Sequence, residues 1–118
     1  MKTASANKEL EGIITKVESK GILAKGLVDD LKALREVALK EQDPLVVKVL
    51  RYTYEFLEDQ KAFNISAQFE EDEDGEYAIE VEDKDNLLYL LNLLKKADHK
   101  VNREEIKDYR TALKRELY

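Results

Sequence analysis

DPLVVKVLRYTYEFLED, residues 43 to 59, is the stretch on which the reading of the fold turns. Asp43 is a good N-cap residue type. Pro44 follows at the first helical position, where a missing N–H costs nothing because that donor has no partner in any helix. A helix therefore starts here. Its apolar residues, Leu45, Val46, Val47, Val49, Leu50, Tyr52, Tyr54, Phe56 and Leu57, spread beyond the roughly 100-degree stripe of a surface helix. It should be covered on several sides.

Upstream, residues 1 to 6 (MKTASA) are small and polar and are expected to fray. Asn7 is the expected N-cap of a helix over about Lys8 to Lys20, with Leu10, Ile13, Ile14 and Val17 on one face and Gly21 as its end. A second pattern runs through Leu23, Leu27, Leu31, Leu34 and Ala38. Gly26, costing roughly 1 kcal/mol against alanine inside a helix, moves the regular start toward itself. The short link to Asp43 makes the second and third helices antiparallel neighbours.

After Asp59 the apolar period changes from about 3.6 to 2. Phe63, Ile65, Ala67 and Phe69 alternate with polar residues, as do Tyr77, Ile79 and Val81 beyond the acidic run. This reads as an antiparallel β-hairpin over about 62 to 82 with one buried face and a loop of more than two residues around Asp74-Gly75. A lone two-stranded ribbon is marginal in water, so it must lie on helices or pair with another chain. Asp83 or Asp85 then caps a helix containing LLYLLNLL (87 to 94), with Lys95 and Lys96 at its end. Asn102 with Glu105 resembles a capping box for a last helix whose stripe is Ile106, Tyr109, Leu113 and Leu117.

The expectation is an α+β, predominantly helical single domain spanning 1 to 118. It has about five helices and one hairpin between the third and fourth. Those two helices stand at the centre, with Phe63, Ile65, Phe69, Tyr77 and Ile79 packed against them.

Composition narrows the chemistry. The 118 residues contain no cysteine, which excludes disulfides and thiolate metal sites, and a reducing, cytoplasmic setting is expected. No window approaches the roughly 18 apolar residues of a membrane span. The net charge of −6 argues against general nucleic-acid binding. That charge is uneven: residues 1 to 54 carry 10 basic and 8 acidic side chains, residues 55 to 85 carry 2 and 13, and residues 86 to 118 carry 8 and 5.

The acidic run Glu70 to Glu76 fits an EF-hand loop poorly, because Val81 falls where a bidentate carboxylate is required. Asp72, Asp74 and Glu82 remain the weak metal candidates. Glu82-Asp83-Lys84 has the spelling of a magnesium nuclease strand, but an acidic residue two before a lysine recurs at Glu18, Asp30, Asp59, Asp98 and Glu105. His99 is the only histidine and lacks partners for a zinc site or a general base. The four glycines form no phosphate-binding loop, so no cofactor is expected. Arg103, Lys107, Arg110 and Lys114 line one side of the last helix, which raises a DNA-binding reading that Glu104, Glu105 and Asp108 dilute.

The apolar excess of helices three and four, each carrying tyrosine, suggests a homodimer. The leading functional expectation is a non-enzymatic, self-associating interaction or structural module. It would present an acidic ridge over 70 to 85 to a basic protein partner, using Tyr52, Tyr54, Tyr89, Glu71, Asp72 and Asp74. The alternatives are a carboxylate-based, metal-dependent hydrolase or nuclease and a DNA-binding accessory protein using the last helix.

Overall fold

Pro44 does open a helix, and Asp43 caps it by accepting the Val46 N–H at 3.4 Å. The computed structural model describes residues 1–118 and contains α1 (Ala4–Lys20), α2 (Leu27–Lys40), α3 (Pro44–Gln60), β1 (Phe69–Asp72), β2 (Gly75–Ala78), α4 (Asp83–Leu94) and α5 (Lys100–Leu117). The chain is thus predominantly helical α+β, with an antiparallel hairpin between the third and fourth helices.

The helices pack as a closed ring in the order α1, α2, α3, α5, α4 and back to α1. One apolar core fills it. The sequence pattern placed α3 and α4 together at the centre; in the structure α5 lies between them. Its Ile106, Tyr109 and Leu113 are fully buried, so the stripe of the most charged helix supplies the wedge. The apolar surfaces of α3 (Leu45 through Leu57) and α4 (Leu87, Leu90, Leu91, Leu93, Leu94) are covered within the single chain. Their excess therefore requires no second copy.

The first residues are held rather than frayed. Thr3, not Asn7, caps α1 by accepting the Ala6 N–H at 3.1 Å. The Met1 amino group donates to the carbonyls of Leu94 and Lys95 at the end of α4, and Glu41 accepts the N–H groups of Lys2 and Thr3 at 3.1 and 3.0 Å. This clamp joins the carboxyl ends of α2 and α4, contacts far apart in sequence that no local pattern encodes.

Helix α2 begins immediately after Gly26, which takes φ +80°, and Leu23 is left outside it and exposed. Its other end is a Schellman motif in which Gln42 adopts φ +58°; the Gln42 N–H donates to Leu39 and the Asp43 N–H to Ala38. Asn102 does not cap α5. His99 precedes that helix, and Asn102 lies within it with its amide on the Lys96 carbonyl at 3.2 Å.

The hairpin departs most from expectation. Only 69 to 72 and 75 to 78 pair, and every residue in both strands is exposed. The register sets Phe69 opposite Ala78 and Glu70 opposite Tyr77. Because side chains alternate faces, Phe69 and Tyr77 point to opposite sides, so no single buried face can contain both. Phe63, Ile65 and Ala67 are buried as expected, but as an extended leg leading to β1. The reversal has two residues, Glu73 and Asp74, rather than a longer loop; neither has positive φ, and Gly75 takes φ +123° instead.

Candidate functional site

The leg before β1 is fixed by one buried amide. Asn86, in the first turns of α4, donates from Nδ2 to the carbonyls of Phe63 and Ile65 at 3.0 and 2.8 Å. Its Oδ1 accepts the Tyr109 hydroxyl at 2.5 Å and Gln68 Nε2 at 3.3 Å. Asp83 accepts the Phe63 N–H at 3.1 Å, and the Phe63 ring stacks on Tyr109 at 6.3 Å between centroids. A buried polar side chain with several partners defines its surroundings more sharply than an apolar one. Beyond Gln68 the strands leave the body of the protein.

Between this projecting hairpin and the α4–α5 surface lies a groove of about 440 Å³. Phe69, Ile79 and Tyr89 supply apolar surface, and Glu76, Glu105 and Asp108 supply carboxylates; Glu70 borders the groove, but its carboxylate accepts the Tyr77 hydroxyl at 2.9 Å. Phe69, Glu71, Glu76 and Ala78 share one face of the ribbon, and Glu70, Asp72 and Tyr77 the other. None of the three groove carboxylates pairs with a lysine or arginine. Asp108 titrates above its ordinary value because it is partly buried and because Glu104, Glu105 and Glu76 lie around it. The Tyr89 hydroxyl donates to Glu105 at 2.6 Å; that hydrogen bond, then burial and the Glu105 charge, raise its pKa to about 12. The site is electronegative and mixed in polarity.

The residues singled out from sequence are distributed as follows. Tyr89 lines the groove. Glu71, Asp72 and Asp74 stand on the hairpin outside it, and Asp72 accepts the Asp74 N–H at 2.8 Å as part of the turn. Glu82 precedes α4 without capping it through its side chain. Asp72, Asp74 and Glu82 are not brought together, and no group of three or more histidine, aspartate or glutamate side chains is arranged to hold a metal ion. Tyr52 is the tyrosine that faces inward, meeting Tyr118 edge-on at 5.8 Å, while Tyr54 is half-buried beneath Lys32.

The basic side of α5 is divided. Arg103 is committed internally, donating to Asp43 at 2.9 and 3.1 Å and to the Ala97 carbonyl, and Lys107 pairs with Glu104. At about 100 degrees per residue, Glu105 and Asp108 fall on the side of α5 away from Arg103, Lys107, Arg110 and Lys114. The helix is thus acidic along one flank and basic along the other.

Sequence reading missed Asn86 and the groove carboxylates of α5. Asn86 sits beside the expected cap positions, where a polar residue attracts no notice. Glu105 was read as a capping residue, and the i, i+3 pair Glu105 and Asp108 was the available signal. No family model, curated protein or solved structure matches the chain. No helix is long and apolar enough to cross a membrane.

Proposed function

We propose that this protein is a non-catalytic interaction module whose hairpin groove receives a basic segment of a partner protein. The observation that carries this reading is the set of three carboxylates, Glu76, Glu105 and Asp108, gathered on a half-apolar groove with no cationic partner. A lysine or arginine side chain would supply the missing charge, lay its methylene stem on Phe69 and Tyr89, and relieve the repulsion around Asp108. The outer strand edges extend the same surface with backbone groups for an extended chain. A second copy of this protein is the poorer occupant, since it would bring the same six carboxylates of residues 70 to 76 to that edge.

The test is titration with lysine- and arginine-rich peptides at several salt concentrations. Binding should weaken as salt rises, and the variant carrying Glu76→Gln and Asp108→Asn should lose at least about fivefold in affinity, roughly 1 kcal/mol. Salt-insensitive binding, or full affinity in the double variant, removes the proposal.

A further inference from the structure

Three cations of this acidic chain converge on one pocket. Lys48 from α3 and Arg110 and Lys114 from α5 line a hollow of about 370 Å³, with Tyr52 and Thr111 completing the wall. Among other cations of α3 and α5, Arg51 pairs with Glu55, Arg103 with Asp43 and Lys107 with Glu104. Lys48, Arg110 and Lys114 have no carboxylate within ion-pair distance. What sets these three apart from the chain's other unpaired cations is that they converge from two helices on one hollow. The pocket is therefore positive within a negative protein, and its field is local.

The donor set defines what would fit. Lysine and arginine donate hydrogen bonds and cannot accept them, and the hydroxyls of Tyr52 and Thr111 can add further donors. A ligand here must bring several acceptor oxygens and more than one negative charge, which a phosphoryl group does; arginine adds planar, two-pronged recognition of it. The volume lies within the range of about 300 to 1,000 Å³ typical of small-molecule sites, larger than one bare anion fills. Tyr52 is a firm wall, buried and braced by the edge of Tyr118 and by Arg51 lying 5.4 Å over its ring.

We infer that the pocket between α3 and α5 binds a phosphoryl-bearing small molecule through Lys48, Arg110 and Lys114. This site is separate from the hairpin groove and stands whether or not the groove binds a basic partner.

Calorimetry and thermal melts at constant ionic strength test the inference, using inorganic phosphate, pyrophosphate and a nucleoside diphosphate as probes and acetate as the control anion. Saturable binding of one or more phosphoryl probes, with no response to acetate, is expected. Tighter binding of the nucleoside diphosphate than of pyrophosphate identifies an organic phosphate as the ligand class, and equal binding identifies the bare phosphoryl chemistry. Arg110→Gln and Lys114→Gln should each weaken the constant by about tenfold, while Lys107→Gln, on the same flank but paired with Glu104, leaves it within twofold of the parent. All three positions are at the surface, and ligand-free melting temperatures confirm folding of the variants. Absence of saturable binding, or equal losses in the Lys107 and Lys114 variants, overturns the inference. A single-stranded oligonucleotide that binds more tightly than every small probe also overturns it, in favour of nucleic acid.

Discussion

The Asn86 amide on α4 and the Tyr109 phenol on α5 meet at 2.5 Å inside the ring, and through Asn86 the same contact reaches the backbone of the leg before the hairpin. Asn86→Ala strands the carbonyls of Phe63 and Ile65 and removes the best acceptor of the buried Tyr109 hydroxyl, which keeps Gln68 Nε2 at 3.0 Å. Each unpaired buried group costs about 1 to 3 kcal/mol, so a total loss of about 3 to 4 kcal/mol is expected. Urea unfolding measures it. Combined with Tyr109→Phe, the loss should fall short of the sum of the single losses by more than about 0.5 kcal/mol, since both variants break one network.

Asp43 and Arg103 link the start of α3 to the start of α5 by a two-pronged ion pair. Burial pushes the Asp43 carboxyl up, but the Arg103 hydrogen bonds and charge and the Val46 N–H together hold it below its ordinary value. A carboxylate with a depressed native pKa adds stability that is present above its unfolded value, near about 4, and is lost as pH falls through the native value. Stability should drop below about pH 4, and Asp43→Asn should flatten that limb while lowering stability at neutral pH. An unchanged acid limb in the variant contradicts the assignment.

Tyr89 should ionise late. Its raised pKa favours the neutral phenol in the folded protein, so this contribution to stability is complete below the ordinary tyrosine value of about 10 and disappears as pH rises through about 12. Tyrosinate absorbance followed against pH in the parent and in Glu105→Gln checks it. Removal of the charge should bring one tyrosine back toward the ordinary range.

Gly75→Val places a branched side chain at φ +123°, a region that side chains rarely adopt. Since both strands are exposed, the expected result is loss of the hairpin amide signals by NMR, with the melting temperature of the helical ring changed by less than about 3 °C. Cooperative loss of the whole fold would show that the hairpin is structurally required.

Arg35 carries the one buried side-chain nitrogen without a hydrogen bond, its Nε, while its tip pairs with exposed Glu36 at 3.6 Å. An unsatisfied buried donor is costly and an exposed ion pair contributes little. Arg35→Met, which keeps much of the packed stem, should leave stability unchanged or raise it by up to about 1 kcal/mol. Chemical denaturation reads the difference.

The helices were legible because their signals are local: the Asp43-Pro44 opening, the stripes of α1 and α2, and the change of period after Asp59. What was not legible depends on contacts between distant segments. No spacing rule reveals that Met1 will close onto the end of α4, that α5 will separate α3 from α4, or that Asn86 will be taken up by the leg before β1. The hairpin was recognised and its burial was not, because alternation within each strand is silent about register. With Glu70 opposite Tyr77, Phe69 and Tyr77 part company. The groove follows from that same register, which explains why its acidic residues on α5 looked like ordinary surface.

The backbone of Ile79 donates to the Gln68 carbonyl at 2.9 Å, at the point where the ribbon leaves the ring. Residues 69 to 78 therefore begin and end one hydrogen bond apart, and the ring beneath them is complete without their side chains. Such a segment can be lengthened, shortened or exchanged for another with the entry and exit points unchanged. Mutation can thus rewrite the chemistry of this tip while the helices that keep the protein folded see none of the change.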